Sequence, residues 1–117
     1  MMRSNKNINI FDEYLKAYDK IGVRMMRELL VFEAIRKNIE FEILTLEFLA
    51  ENLGVSQNSL KKTLYTLDGS RDLKDLGRYL IRFGPSEKTN GKQHEITLTA
   101  KGKRLVRKLE SLDNKLS

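Results

Sequence analysis

Apolar residues along this chain recur mostly at three- and four-residue steps, which is the spacing of a buried face on an α-helix. This pattern predicts five longer helices and one short helical turn. The longer helices cover residues 10–22, 23–38, 46–53, 57–68 and 99–117, and the short turn covers residues 70–77. In the second helix, the buried face is predicted to comprise Met25, Leu29, Phe32 and Ile35. Because few residues separate these segments, we expect one domain over residues 1–117.

Residues that begin and end helices stand at the boundaries of this pattern. A threonine or serine hydroxyl can accept a backbone N–H that a helix start leaves unpaired, and the candidate caps are Thr45, Ser56 and Thr99. Glycine adopts the left-handed conformation that commonly ends a helix, and the candidate stops are Gly22, Gly54 and Gly69. These local signals support the predicted boundaries.

Two segments alternate apolar and polar residues, as strands with one buried face do. They cover residues 79–83 and 95–98, and the polar stretch 84–93 between them contains Asn90-Gly91, a strong hairpin-turn signal. A further short extended stretch is predicted within residues 41–44. The predicted fold class is therefore α+β, mainly helical with a small β-hairpin.

The stretch 49–64 resembles the signature of a helix-turn-helix. Small Ala50 lets two helices cross closely, and Gly54 can take the positive φ that a tight turn needs. We expect Val55 to fill the space between the helices and Ser56 to cap the second of them.

The second helix of this motif is predicted to present a polar outer face, because Leu60 and Leu64 hold it against the core. No acidic residue lies between Glu51 and Asp68. Such a face suits base edges and phosphates in a DNA major groove, whereas the alternative is a helical hairpin with a solvated polar face. The candidate DNA-binding residues of this helix are Ser56, Gln57, Asn58, Ser59, Lys61, Lys62 and Tyr65.

The positive charge of the chain is concentrated in its C-terminal part. The formal net charge is +6. Residues 1–46 carry a net +1, residues 47–70 carry −1, and residues 71–117 carry +6, from twelve basic and six acidic side chains. A one-sided basic surface on a small domain favours a polyanionic partner, most often nucleic acid.

The hairpin loop is polar and basic, with Glu87 as its single acid. Together with the helix-turn-helix, it resembles the wing of the winged-helix family. The element Leu98-Thr99-Ala100-Lys101-Gly102 resembles the Leu-Thr-x-x-Gly element of MarR-like transcriptional regulators. Asn90-Gly91-Lys92 stands where those regulators typically carry Asp-x-Arg, so Asn90 cannot form their usual ion pair.

This resemblance implies a winged-helix core over residues 24–98, with an N-terminal helix over 10–22 and a C-terminal helix over 99–117. Helix 57–68 would enter the major groove of double-stranded DNA, and the wing, residues 84–93, would take the minor groove or phosphates. The contacts expected from the wing and its flanks are Arg78, Arg82, Lys88, Thr89, Asn90, Lys92, Lys101, Lys103 and Arg104.

Two other functions stay open beside sequence-specific DNA binding in transcriptional regulation. Winged helices also dock onto proteins, so the chain is alternatively a protein-interaction module, such as a viral or mobile-element protein that binds transcription or replication machinery. A basic winged helix can also bind DNA without sequence preference, as an architectural protein. The dependence of binding on salt and competition by random DNA separate these functions.

The terminal helices carry apolar stripes that are able to pack together, within one chain or between two. The stripes are Leu105, Leu109, Leu112 and Leu116 in the last helix, and Phe11, Leu15 and Tyr18 in the first. Because helix-turn-helix regulators commonly pair, a homodimer through the terminal helices is predicted. The sequence does not identify a small-molecule effector.

Composition excludes several classes of site. Cysteine is absent, which excludes disulfides and cysteine-ligated metal, and the single histidine, His94, excludes a multi-histidine metal site. Neither Gly91-Lys92 nor Gly102-Lys103 has the glycine spacing of a phosphate-binding loop. We therefore predict a protein that is not an enzyme and has no metal or cofactor. The lack of a long apolar run or signal peptide predicts a cytoplasmic location without membrane contact.

Overall fold

The computed structural model describes residues 12–23, 25–39, 43–68, 79–91 and 93–116, with the side chains of Lys88 and Leu116 excepted. Five α-helices and one antiparallel hairpin follow one another in these residues. The helices are α1 over residues 12–20, α2 over Met26–Asn38, α3 over Leu46–Leu53, α4 over Gln57–Asp68 and α5 over Ala100–Leu116. The strands are β1 over Ile81–Pro85 and β2 over His94–Leu98, with a 3-10 turn over Glu87–Thr89 between them.

The observed helices lie within the predicted ones, but α1 ends at residue 20 instead of 22 and α2 begins at Met26 instead of residue 23. Thr45, Ser56 and Thr99 all cap helices through their hydroxyls, as predicted. Gly22 has φ +86° after α1 and Gly54 has φ +68° after α3, which confirms both stops. The short helical turn predicted over 70–77, with Gly69 before it, lies outside the described residues.

The first strand of the hairpin is displaced by two residues relative to its prediction, whereas β2 begins only one residue earlier than predicted. β1 begins at Ile81 instead of Tyr79, because Tyr79 has a left-handed backbone with φ +45°. It extends to Pro85, and Gly84 pairs with Glu95 in the antiparallel register. Proline is tolerated at the end of a strand because its missing N–H is not needed there. The prediction that the wing loop starts at residue 84 was therefore wrong by two residues.

The predicted extended stretch before α3 contributes a third, very short piece of sheet. Thr45 forms an isolated antiparallel bridge with Glu95 of β2, and the N–H of Ile96 donates to the carbonyl of Leu44 at 2.9 Å. Phe41, at the start of that prediction, lies outside the described residues. This bridge fixes the start of α3 against the hairpin.

One core joins all these elements. Fully buried side chains come from every helix and both strands, and the largest include Tyr18, Phe32, Ile35, Leu44, Leu46, Leu49, Leu60, Leu64, Leu67, Leu80, Ile81 and Ile96. In α2 the buried apolar face is Val31, Phe32, Ala34 and Ile35. Met25, predicted for that face, is 61 % exposed, because its backbone is extended before the helix and its side chain does not follow the helical repeat.

The start of α5 is joined to the chain just before β1. The Thr99 hydroxyl accepts the N–H of Gly102 at 3.0 Å and itself donates to the carbonyl of Tyr79. The N–H of Thr99 donates to the carbonyl of Leu80 at 3.1 Å, and the N–H of Leu80 donates to the carbonyl of Leu67 at 3.0 Å. This chain of bonds fastens α4, β1 and α5 together, and gives the Leu98–Gly102 element a structural role.

A polar network connects α1, α2 and α5. The guanidinium of Arg36, whose side chain is only 6 % exposed, contacts the Glu33 carboxylate at 2.6 Å and the Asp113 carboxylate at 2.7 Å. Tyr18 donates to Glu33, and Tyr14 donates to Asp113. Burial, followed by the bond to Asp113, raises the pKa of Tyr14 to about 12, so its hydroxyl stays a donor at neutral pH.

The terminal helices therefore pack within one chain. Leu105, Leu109 and Leu112 of the predicted stripe are all buried, and Tyr18 of α1 is buried with them. Leu15, by contrast, is 40 % exposed, and Phe11 lies outside the described residues. The leucine stripe covers the core of this chain. The fold is α+β with the arrangement of a winged helix: a helix-turn-helix followed by a two-stranded wing and a C-terminal helix.

Candidate nucleic-acid interface

The turn between α3 and α4 is built by local hydrogen bonds. The Thr45 hydroxyl accepts the N–H of Phe48 at 3.2 Å at the start of α3. At its end Gly54 is left-handed, and the N–H of the following Val55 donates to the carbonyl of Ala50 at 3.1 Å. Ala50 is buried, as expected for a close helix crossing.

Val55 does not fill the space between the two helices. Its side chain is 46 % exposed, so the predicted packing role was wrong. The buried leucines Leu49, Leu60 and Leu64 occupy the interior instead. The left-handed Gly54 is followed by a segment on the outside of the domain, and this leaves Val55 on the surface.

Helix α4 has a buried apolar face and an exposed polar one. Leu60, Thr63, Leu64 and Leu67 are buried. The exposed side chains at its start are Gln57, Asn58 and Ser59, preceded by exposed Ser56, and Lys62 is exposed one turn later, whereas Lys61 is half-buried. The Ser56 hydroxyl caps the helix by accepting the N–H of Ser59 at 3.2 Å. The N-terminal half of α4 thus presents amide, hydroxyl and ammonium groups on one surface.

The acid that ends α4 is turned away from this surface. Asp68 is buried, and its Oδ2 accepts the N–H of Phe83 in β1 at 2.9 Å. The carboxylate therefore serves to join the helix to the wing. Because no other acid occurs between Glu51 and Asp68, the exposed side chains of α4 carry no negative charge.

An aromatic row orients the wing on α4. The half-buried Tyr65 ring packs edge-on against Phe83 with centroids 5.3 Å apart, and Phe83 lies 5.6 Å from the ring of His94. His94 is the first residue of β2, one position before the predicted strand. These three rings are separated along the chain, so sequence patterns did not predict the row, and Tyr65 was predicted only as a DNA contact. The contact shows that Tyr65 also packs against the wing.

The wing turn is held by backbone bonds around one buried serine. The carbonyl of Ser86 accepts the N–H of Gly91 at 2.8 Å, and the N–H of Ser86 donates to the carbonyl of Gln93 at 2.8 Å. Its hydroxyl donates to Glu95 at 3.2 Å. Asn90 has φ +53°, a left-handed conformation that asparagine adopts more readily than most residues. The described turn is thus ordered by other means than an Asp–Arg ion pair.

The other candidate DNA contacts are distributed along the hairpin. Thr89 is half-buried and Asn90 exposed at the turn, whereas Arg78, Lys92 and the side chain of Lys88 lie outside the described residues. Arg82 is exposed on β1, and it lines a hollow of about 290 Å³ together with Asp68 and Glu95. Arg82 therefore shares this hollow with two acidic residues.

The basic residues of α5 are placed at the opposite end of the hairpin from the turn. Strand β2 runs from His94 beside the turn to Leu98, which α5 follows. Lys103 and Arg104 are exposed in the first turns of α5, and Lys101 is half-buried. The candidate DNA contacts of α4 thus lie together, whereas those of α5 lie away from the wing turn.

Two absences within the described residues concern metal binding and membrane insertion. Among those residues no three histidine or acidic side chains are grouped so that they could hold a metal ion. In the same part of the chain, none of the helices has the length and apolar character needed to cross a membrane.

No family model and no curated protein sequence matches this chain. Solved structures resemble it along 98 % of its length. YusO protein from Bacillus subtilis is 17 % identical in sequence, the match covers 72 % of that chain, and the TM-score is 0.61. The heme sensor protein PefR from Streptococcus agalactiae, solved in complex with heme, has 21 % identity, 71 % covered and a TM-score of 0.59.

BpsR from Bordetella bronchiseptica, whose DNA binding is regulated by 6-hydroxynicotinic acid, has 11 % identity, 80 % of that chain covered and a TM-score of 0.54. At these identities the likeness establishes the fold alone, and heme and 6-hydroxynicotinic acid are ligands of PefR and BpsR respectively. The winged-helix arrangement of α3, α4 and the hairpin therefore has counterparts in solved structures, including that of a protein that binds DNA.

Proposed function

We propose that this chain binds double-stranded DNA sequence-specifically and acts as a transcriptional regulator of the MarR-like kind. The observation that carries the proposal is the exposed, acid-free start of α4, with Gln57, Asn58 and Ser59 in its first turn. Glutamine and asparagine amides can pair in two places with an adenine edge in the major groove. The first turn of a helix also leaves backbone N–H groups unpaired, which favours approach to phosphates.

The candidate residues after the capping Ser56 divide into three groups in this arrangement. Gln57, Asn58, Ser59 and Lys61 would contact bases, while Lys62 and Tyr65 would contact the DNA backbone, with Tyr65 also holding the wing. Lys88, Thr89, Asn90 and Lys92 of the wing would take the minor groove or phosphates. Arg78, Arg82, Lys101, Lys103 and Arg104 would add a general attractive field.

The test of this function is selection of bound sequences from a random duplex pool, followed by affinity measurements at several salt concentrations. A short enriched motif is expected. Enrichment of a paired half-site would identify two copies acting together, as expected for a homodimer. Salt-sensitive binding without an enriched motif would indicate an architectural protein, and no binding at low salt would exclude both DNA functions.

The homodimer remains part of this proposal, with one constraint from the packing. Because Leu105, Leu109 and Leu112 are buried within one chain, a second copy would have to use another face of the terminal helices. Sedimentation at several concentrations would measure the oligomeric state directly. A monomer at the concentrations that saturate DNA would contradict the predicted dimer.

Replacing Asn58 with alanine is expected to reduce affinity for the selected site by about 1–3 kcal/mol and to leave affinity for random duplex unchanged. Gln57→Ala should behave in the same way. The matched control is Asn52→Ala, which removes an exposed amide from α3. Affinities would be measured by titration of a labelled duplex. If both α4 variants bind the selected site as tightly as the wild type, α4 does not read the bases.

Replacing a phosphate-contacting lysine is expected to weaken binding on all sequences and to flatten the dependence of log affinity on log salt by up to about one unit. We expect this result for Lys62→Ala, Lys88→Ala and Lys92→Ala. Lys20→Ala, which removes an exposed lysine from α1, serves as the control. If the dependence of log affinity on log salt is unchanged in all three variants, neither the wing nor Lys62 contacts the DNA phosphates.

A further inference from the structure

An open groove lies between the first turns of α2 and α4. Its volume is about 530 Å³. Its floor is apolar, formed by Leu30 and Val31 of α2, by Leu53 and Val55 at the α3–α4 turn, and by Leu60 of α4. Ser59, Lys62 and Thr63 line the α4 side, and Arg27 lines the α2 side. We call this feature the α2–α4 groove.

The apolar surface at this groove is unusually exposed. Leu30 is 53 % exposed and Val55 is 46 % exposed. Met26, which lies one helical turn before Leu30 on the same side of α2, is 65 % exposed, and Met25 precedes it on the surface. Contiguous exposed apolar side chains of this kind mark interaction sites, and methionine adapts readily to a partner's shape.

The charges at the groove are all positive. Arg27 on one wall and Lys62 on the other are both exposed, and no acid is among the described residues that line the groove. Within the described part of the chain, neither cation forms an ion pair. Two cations that line a largely apolar groove complement a partner that combines apolar side chains with carboxylates.

From this combination we propose that the α2–α4 groove binds an acidic amphipathic segment of another protein. Apolar side chains of that segment enter the floor, and its aspartates or glutamates meet Arg27 and Lys62. A phosphate backbone gains nothing from the apolar floor. A small molecule would cover the groove but not the apolar surface that continues over Met26 and Met25.

This binding excludes DNA, an inference that rests on the proposed function. Ser59 and Lys62 line the groove and also belong to the proposed DNA-binding surface of α4. A segment seated on them covers both side chains. The acidic partner would therefore release the chain from its DNA site by direct competition.

The experiment is selection from a displayed library of random peptides of about 16 residues, long enough for four helical turns, against the full chain without DNA. Enriched peptides should combine apolar residues at helical spacing with several acids. Their affinity, measured by fluorescence anisotropy, should fall about tenfold or more in Leu30→Gln and in Arg27→Glu. Leu15→Gln, which removes a comparably exposed leucine from α1, is the control and should bind normally.

Circular dichroism melting curves would establish that all three variants are folded. The proposal is wrong if no peptide is enriched, if the enriched peptides are basic, or if they bind Leu30→Gln as well as the wild type. It is also wrong if Leu30→Gln dissociates a dimer of the chain while no peptide binds, because the groove then holds a second copy.

Titration of the enriched peptide into a complex of the chain with a selected duplex separates this proposal from the proposed function. Displacement supports both. Peptide binding without any DNA binding by the wild type would overturn only the DNA function. Peptide binding beside an undisturbed DNA complex would overturn the competition, and DNA binding without peptide binding would overturn only the groove.

Discussion

Replacing Gly102 with alanine is expected to lower the free energy of unfolding by about 3 kcal/mol. A Cβ at this position would lie 2.0 Å from the carbonyl oxygen of Leu80, which is far shorter than a van der Waals contact, so the backbone would have to shift. Leu80 cannot simply shift, because its N–H donates to Leu67 and its carbonyl accepts from Thr99. Alanine ordinarily stabilises a helix by about 1 kcal/mol relative to glycine, so the expected effect has the opposite sign.

Urea unfolding followed by circular dichroism would measure this loss. Gly84→Ala is the matched control, because no atom lies within 4 Å of a Cβ at that position. Its stability should stay within about 0.5 kcal/mol of the wild type. If Gly102→Ala is as stable as the wild type, α5 does not approach Leu80 as closely as the structure indicates.

Replacing Arg36 with methionine is expected to cost about 2–3 kcal/mol of stability. The substitution keeps much of the apolar stem but leaves the Glu33 and Asp113 carboxylates without the cation between them. The expected loss of stability is smaller than the loss caused by breaking a fully buried ion pair, because Asp113 is partly exposed to water. Since Arg36 contacts both α5 and its own helix, the loss should appear as a lower urea midpoint for the whole domain.

The effect of this substitution is expected to depend on pH. The hydrogen bonds from Arg36 hold the pKa of Asp113 below its usual value of 3.8. A carboxyl whose pKa is lowered in the folded state contributes stability above its unfolded pKa, and this contribution disappears as pH falls through the folded value. The difference in the free energy of unfolding between the wild type and Arg36→Met should therefore become smaller below about pH 4.

A surface ion pair supplies the control for this prediction. Lys16 and Asp12 of α1 lie 3.1 Å apart, and both side chains are mostly exposed. Lys16→Met should change stability by less than about 0.5 kcal/mol at neutral pH. The network does not stabilise the packing of the terminal helices if Arg36→Met has the urea midpoint of the wild type. The same conclusion follows if the difference in the free energy of unfolding between the two proteins stays constant down to pH 3.

The described wing turn is ordered without a carboxylate at position 90, where Asn90 stands. The left-handed backbone at Asn90 and Gly91 and the bonds to Ser86 order the turn instead. Asn90 is exposed at the tip, whereas the Thr89 hydroxyl helps to hold the turn by donating to the carbonyl of Ser86 at 3.3 Å and accepting the N–H of Gln93 at 3.1 Å.

The sequence by itself determined the helix-turn-helix to within a residue. Thr45, Gly54 and Ser56 act on backbone groups only a few positions away, so their effects are readable without knowledge of the rest of the chain. The same holds for Thr99 at the start of α5 and for the turn at Asn90-Gly91. The polar composition of the start of α4 is likewise a property of the sequence alone.

Only the tertiary structure decided which of these side chains meet. The row of Tyr65, Phe83 and His94, the close approach of Gly102 to Leu80, and the exposure of Val55 all join or separate residues distant along the chain. Periodicity identifies a buried face but not its partner, because many partners satisfy the same pattern of apolar positions. For that reason the leucine stripe of α5 could not be assigned to one chain or two until the packing of α1, α2 and α5 was known.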